Sequence, residues 1–417
     1  MQPVENASNL EPISFKFASS FILLTILAGL GVGVARVLTS LYAVHIQASE
    51  FQLGLIAAAQ SFGLLFMALP VGVLVQRFGS LKIFALGSLL AAVLYSLQLL
   101  YSNAWYLLLI TALVSFVLPM RFVSIHTVFL SHLKRLGPAK AGWFRGSHMM
   151  GFFLIAPALT VFLIEHLNYS GAFIGVAFLF TIAMVFAPIC FAQNTATSLT
   201  VQPKFKFSEV IEPLKLIQQH PHLRTICSLE FMSNIANNYF GFFIVVIAIQ
   251  TFHLQESLAV MLLTVQGLVF VGSLFSLGAL AEVVGYHKFY VIGLALISFA
   301  LISLSVAHQS IWLWPSSVSL GLGLGMLHIS NFMSFAKVGE QTSMSKISPL
   351  LAMVGPAGGL LGGLTGAALG HHIGLQAIFA PIGLAFLLLT IFVFRNVSFQ
   401  QFLQEDSSIT QLQRQEP

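Results

Sequence analysis

Apolar runs of about 20 residues recur along this chain, each bounded by a short polar or breaker-rich break. They lie near 17–43, 52–75, 82–101, 105–131, 143–164, 171–192, 225–252, 257–280, 288–307, 311–335, 348–369 and 376–394. A helix of about 20 apolar residues matches the hydrocarbon thickness of a bilayer, so the pattern predicts twelve spanning helices. Only one long polar stretch lies inside the chain, Gln193 to Leu223, and its segment Ser208 to Gln219 has the amphipathic spacing of a helix on the membrane surface. The expected fold class is an all-α membrane protein, with twelve transmembrane helices in two pseudo-symmetric six-helix bundles. The bundles are expected over 1–192 and 224–396, joined by a cytoplasmic linker over 193–223 and followed by a cytoplasmic tail over 397–417.

Composition supports this reading. Hydrophobic residues make up 57% of the chain and charged residues 7%, against about 25% charged in a soluble domain. The net charge of +5 could suggest a nucleic-acid partner, but the basic residues are scattered over short loops, and none is expected. Of 18 Lys and Arg residues, all but Arg36 and Arg121 fall in the termini, in alternate loops or at their borders. The opposite loops carry His45, His166, His253, His308, His371 and His372 with Glu50, Glu165 and Glu256. The positive-inside rule then places both termini in the cytoplasm. Glu5, Glu11 and a long first apolar run do not fit a cleavable signal peptide, so that run reads as the first span. Asn168-Tyr169-Ser170 would be a glycosylation site in a eukaryote, but no eukaryotic address is apparent and a bacterial inner membrane is preferred. Cys190 and Cys227 read as two buried thiols.

One polar motif occurs twice in equivalent loops, between the second and third span of each half. GVLVQRFGSLK runs from Gly72 to Lys82, and GALAEVVGYHK from Gly278 to Lys288. Gly72 and Gly278 read as sites of close helix approach, and Gly79 and Gly285 as turn residues. With twelve spans, a duplicated half and a polar central linker, the chain resembles the major facilitator superfamily over nearly its whole length. That family's loop signature is Gly, three residues, Asp, Arg, any residue, Gly, then basic residues; Gly72, Arg77, Gly79 and Lys82 match it. The resemblance implies a rocking, alternating-access transporter in which the acidic position latches the cytoplasmic side shut. Gln76 replaces the aspartate here, so the first latch is expected to be the weaker. Glu282, followed by Gly285 and Lys288, retains a carboxylate in the second. The superfamily's antiporter signature places Gly-Pro in the fifth span where this chain has Ala156-Pro157, which withholds the usual support for an exporter.

Inside the spans, ionisable groups are few. One at a span centre costs about 2.5–3.5 kcal/mol on insertion scales, so it normally faces a cavity or a partner. In the first span Thr25, Gly29, Gly33, Arg36 and Ser40 share a face. In the fourth, Arg121 shares its face with Ser124, and His126 lies well around the helix. In the seventh, Glu230, Asn234, Asn237, Asn238 and Gly241 form one stripe. The fifth contributes His148; the tenth contributes His328 on a face with Gly321 and Gly325, and Asn331 beside it. Gln60 and Gln266 occupy the second and eighth. The resemblance places the first, fourth and seventh spans around a central cavity. The candidate substrate-binding residues are Arg36, Arg121, Asn234, Asn237, His328 and Asn331. Helix-to-helix pairing is the alternative role for the arginines. Glu230 is the leading proton carrier, because burial favours a neutral carboxyl, with His126 and His148 as alternatives.

The eleventh span, from Gly355 to Gly370, is rich in glycine but lacks the Gly-Lys-Ser/Thr of a phosphate loop and reads as closely packed helix. No clustered nucleophile and base or metal-ligand set supports an enzyme, and no cofactor or metal is expected. Two intramembrane arginines against one glutamate favour a substrate with negative charge. The expected function is proton-coupled export of a small organic anion or amphiphile, siderophore-like or drug-like, by a monomer in a lipid bilayer. Proton-coupled uptake of a nutrient anion is the alternative, and a solute sensor with a transporter fold is a remote one.

Overall fold

A chain in hydrocarbon must satisfy its backbone N–H and C=O groups internally, and long helices do so within one segment. The computed structural model of the protein describes residues 15–136, 146–191, 216–342 and 344–404. Most of the amphipathic linker segment and the basic residues Lys140, Arg145, Lys204 and Lys206 lie outside the described residues.

The helices of the first half are α1 (Phe15–His45), α2 (Glu50–Phe78), α3 (Ser80–Leu97), α4 (Ala104–Leu136), α5 (146–167) and α6 (169–191). Those of the second are α7 (Pro221–Gln250), α8 (Glu256–Ser276), α9 (Tyr286–Ser305), α10 (Leu313–Gln341), α11 (Met344–Ile373) and α12 (Phe379–Arg395). Among the described residues, ten helices are long and apolar enough to cross a membrane, or eleven if a bent pair at the C-terminus is one span. The expected twelve differs because 146–191 runs as one 46-residue helical stretch. At 1.5 Å per residue that would be about 69 Å, over twice the hydrocarbon thickness. It is interrupted at Asn168, whose backbone is non-helical with φ 58°, and this residue separates α5 from α6. The 17-residue α12 is the shortest of the twelve and falls just short of a span by itself. It bends by 68° into α13 (Val397–Gln404). The expected tail over 397–417 is helical as far as residue 404, and it packs Phe399 and Phe402 into the protein, with Phe402 stacked on His222 at 4.5 Å.

Within the first half α4 packs on α2 and α3, and α6 on α1 and α3; in the second, α9 packs on α10 and α12, and α11 on α7. Between halves the largest seam is α2 against α11, with α5–α8 and α1–α7 completing it. Glycines set how closely that seam closes. A Cβ at Gly54 would lie 2.6 Å from that of Ala367, one at Gly359 2.9 Å from Asn238 Nδ2, and one at Gly363 would collide with the Ala58 backbone. Cross-half hydrogen bonds follow at the histidine-bearing end: Ser40 Oγ donates to the Phe242 carbonyl at 2.9 Å and Tyr169 OH to Glu256 Oε1 at 2.7 Å.

Gly79 and Gly285 adopt φ 88° and 91°, the left-handed turns expected of them, and each ends one helix and starts the next. Among the described residues the close approach expected at Gly72 and Gly278 is not made: neither would place a Cβ within 4 Å of a described neighbour. Gln76, Arg77, Lys82, Glu282 and Lys288 are exposed, and Arg77 lies over the adjacent Phe78 ring at 5.3 Å. The glycines thus make turns while the acidic and amide positions latch nothing among the described residues. Cys190 and Cys227 are free, buried thiols.

Because the α2–α11 crossing has no room for a side chain at Gly363, Gly363→Val should destabilise the protein by about 1–3 kcal/mol. The check is the melting temperature in detergent; an unchanged value would show that the crossing is not a constraint.

Candidate substrate site

The π-helical turn Met150–Ile155 in α5 presents adjacent rings to two neighbours. Phe152 faces Arg36 of α1, 5.7 Å from the ring centre to Cζ, while Phe153 meets Phe270 of α8 at 5.5 Å. Arg36 therefore sits where α1, α5 and α7 meet. Its Nη2 donates to Asn238 Oδ1 at 3.0 Å, across the seam between halves. Gly241, one turn further along α7, leaves room for this guanidinium, since a Cβ there would lie 2.7 Å from Nη2. Arg36 Nε is buried without a hydrogen-bond partner among the described residues.

From Asn238 a polar ladder continues through the second half. Asn238 Nδ2 donates to the Asn234 carbonyl at 2.9 Å, and Asn234 Nδ2 donates to the Glu230 carbonyl at 2.8 Å and to its Oε1 at 3.0 Å. The other carboxylate oxygen, Oε2, accepts from Asn331 Nδ2 of α10 at 2.8 Å. Tyr290 OH of α9 donates towards Asn331 Oδ1 at 2.8 Å, with Ser334 Oγ at 3.0 Å. The i, i+4 spacing puts Glu230, Asn234 and Asn238 on one line, so each amide can reach back one turn. Among the described residues, Glu230 is thus held by two amide donors and no cation, and Arg36 has no carboxylate partner.

Arg36 and Asn238 open onto a cavity of about 150 Å³ inside the first half, beside the seam; its walls include Phe152, Phe122, Tyr95 and Gln60, and Asn238 is its one described wall residue from the second half. Gln60 Nε2 is buried with no partner among the described residues, and none of those residues puts a carboxylate on the cavity wall. The donor set suits an acceptor-bearing ligand of negative charge, because guanidinium bonds to carboxylate are charge-assisted.

The structure brings Arg36, Asn234, Glu230 and Asn331 together and places the other candidates apart. Arg121 is 1% exposed and lies inside the first half rather than on the cavity, 4.0 Å over the Phe180 ring and 5.3 Å over Phe84. Its three guanidinium nitrogens have no hydrogen-bond partner among the described residues. His148 Nδ1 meets the Thr25 carbonyl at 3.3 Å and ties α5 to α1. His126 is exposed, and His328 is half-buried with its ring 5.9 Å from Phe270. Asn237 is half-buried beside the ladder without joining it. Tyr290, Gln60 and Phe152 enter the site without having been singled out for it. The α7 stripe already signalled Asn238, whereas nothing local distinguishes Tyr290 from other span tyrosines.

Residues 21–345 match a sequence model of the Major Facilitator Superfamily. No curated protein sequence matches the chain. Among solved structures, it is similar to the nucleoside transporter NupG, at a TM-score of 0.72 and 14% identity, covering 91% of this chain and 99% of that one. It is also similar to a POT family transporter in complex with a thioalcohol-conjugated peptide, at 0.72 and 10%, covering 90% and 95%. A point mutant of a peptide transporter POT, in complex with alafosfalin, aligns at 0.72 and 13%, covering 95% and 98%. At these identities the likeness establishes the fold.

The Arg121 environment sets desolvation of a whole charge, several kcal/mol, against two ring contacts of about 2 kcal/mol each. Arg121→Met should therefore keep or raise the melting temperature. A fall of several degrees would show that the ring contacts outweigh the buried charge.

Proposed function

The chain belongs to the major facilitator superfamily, and on that premise we propose that it is a secondary transporter carrying a small organic anion together with a proton. The observation that carries this reading is Arg36: a cation at the seam, facing a cavity, with an amide partner and no carboxylate among the described residues. An anion in the cavity supplies the missing charge. Its binding competes for the guanidinium that now holds Asn238, so occupation of the site loosens a bond between the two halves. That is the kind of differential contact through which a ligand shifts an alternating-access equilibrium.

Glu230 is the proton site in this reading. The groups around it are Asn234 and Cys227 on α7, Asn331 on α10 and Tyr290 on α9. None of these is a cation, so among the described residues the bare carboxylate is bonded directly to no positive charge. Asn238 lies eight residues from Glu230, about 12 Å along the helix. Two negative charges at that separation repel by about 1.4 kcal/mol at an effective dielectric constant near 20, about a tenfold effect on binding. A proton on Glu230 relieves this repulsion, so anion and proton favour each other and travel in the same direction. Of the directions open from the sequence, this coupling supports uptake of a nutrient anion with an inward proton gradient over export. Exchange of an anion against protons would need the two to compete.

The positive-inside distribution supports an orientation with the basic loops and both termini in the cytoplasm. The histidine-bearing end, closed by Tyr169 and Glu256, then faces outward. Arg36, Asn238 and the cavity walls all come from one chain, which fits a monomer.

In proteoliposomes with an acid exterior, the wild type should accumulate its anion and acidify the lumen. Glu230→Gln should abolish accumulation while anion exchange without a gradient continues, and Arg36→Gln should abolish both. Unchanged accumulation by Glu230→Gln would remove Glu230 from the coupling, and anion flux opposite to the protons would refute cotransport.

A further inference from the structure

The dimensions and chemistry of the cavity specify its ligand more closely, on the premise that Arg36 is the anion site. Its volume is about 150 Å³. Pockets for drug-sized ligands span roughly 300–1,000 Å³, whereas an apolar cavity of about 150 Å³ is known to hold one benzene ring. A siderophore-sized or peptide-sized body therefore does not fit it, and a single ring does.

The walls agree with that size. Phe122, Phe152 and Tyr95 come from α4, α5 and α3 and surround the space with aromatic surface, which favours a flat π-system through offset or edge-on contacts. The polar lining divides into spent and unspent donors. Thr39 Oγ1 donates to the Ala35 carbonyl at 2.7 Å and Ser115 Oγ to the Ala112 carbonyl at 2.6 Å, so both hydroxyl protons are committed to their own helices. Arg36 Nε and Gln60 Nε2 are buried and unpartnered among the described residues. Each carries a desolvation cost that an acceptor on the ligand removes once the side chain turns that N–H towards the cavity. Beside the cationic place at Arg36 on α1, the cavity thus has neutral donors at Gln60 on α2 and at the wall hydroxyls of Ser61, Tyr95 and Thr111, which make no hydrogen bond among the described residues. Its described walls offer no carboxylate for an ammonium group, which disfavours amines and zwitterions.

We infer that the cavity binds a single-ring aromatic or heteroaromatic monocarboxylate, with the carboxylate on Arg36 and a second acceptor on Gln60. The ring lies among Phe122, Phe152 and Tyr95. Recognition by Gln60 separates ring acids that carry a further acceptor from plain ones. The aromatic walls separate ring acids from aliphatic ones, and the volume separates one ring from two.

Calorimetric titration of the purified full chain with benzoate, nicotinate, nicotinamide, glutarate and 2-naphthoate tests this assignment. Nicotinate should bind about fivefold more tightly than benzoate, because its ring nitrogen satisfies one more buried donor. Nicotinamide, which lacks the charge, should bind at least about tenfold more weakly than nicotinate. Glutarate and 2-naphthoate should bind more weakly than benzoate. Gln60→Leu should bring the nicotinate-to-benzoate ratio close to one, a change in selectivity that general loss of folding does not produce. Arg36→Lys, which keeps the charge, should retain more nicotinate binding than Arg36→Gln. If glutarate or 2-naphthoate binds best and loses binding in Arg36→Gln, the ring-acid assignment fails while the anion site stands. If Arg36→Gln binds every anion as the wild type does, the anion site itself fails. An unchanged ratio in Gln60→Leu would overturn the role of Gln60.

Discussion

A single positive charge at the seam between two helical bundles, without an opposite charge among the described residues to meet it, organises the centre of this protein. In hydrocarbon a charge without a partner is costly, and the fold meets that cost only in part. Arg36 receives one amide oxygen from the other bundle and the face of Phe152. The contact joins the halves through a neutral group that an anion can replace. A glutamate in place of Asn238 would have made a stronger bond and left the site with nothing to recruit. Further along α7 the same logic holds in reverse, since Glu230 is steadied by Asn234 and Asn331 rather than by a cation. Two opposite charges kept apart by amides remain available, one to substrate and one to a proton.

The glycines let this arrangement form. Without the hydrophobic effect to drive helices together inside a bilayer, close approach depends on small residues and van der Waals contact. Gly359 and Gly363 of α11 bring that helix against α2 and beside Asn238, while Gly241 clears the volume that the Arg36 guanidinium occupies. In the hinge motifs, glycine does a different job. Gly79 and Gly285 take positive φ, and Gly72 and Gly278 face open space, so the repeated motif shapes turns in this conformation and holds no latch among the described residues. The cross-half bonds at the histidine-bearing end, Ser40 with Phe242 and Tyr169 with Glu256, do the closing instead.

Much of the site was legible in the chain. Arg36, Glu230 and Asn234 stand out because polar residues are rare in the spans and follow helical spacing. A buried carboxylate also needs donors within one turn, as Asn234 provides. Arg121 stands out by the same rule, yet it turns inward between Phe84 and Phe180. Periodicity gives the face of a helix, but which neighbour that face meets is set by packing angles between segments distant in sequence. Gln60 was marked as a polar residue within a span but not as part of the site, and for the same reason Tyr290 and the adjacent pair Phe152 and Phe153 carried no local mark of their roles. The π-helical turn that aims those two rings at different partners departs from the regular period used to read a helix.

Hydropathy and spacing are enough to establish a membrane-spanning helical protein, duplicated in two halves, with two glycine turns and a few costly polar groups. They suffice because a bilayer imposes one length and one kind of backbone structure on whatever crosses it. Packing, in contrast, decides which of those groups share a cavity, that the seam is bonded through Asn238, and that the half-open cavity beside Arg36 has the volume of one ring. Those outcomes depend on how closely helices cross, and that is set by contacts between α2 and α11, α1 and α7, and α5 and α8, pairs of segments far apart along the chain.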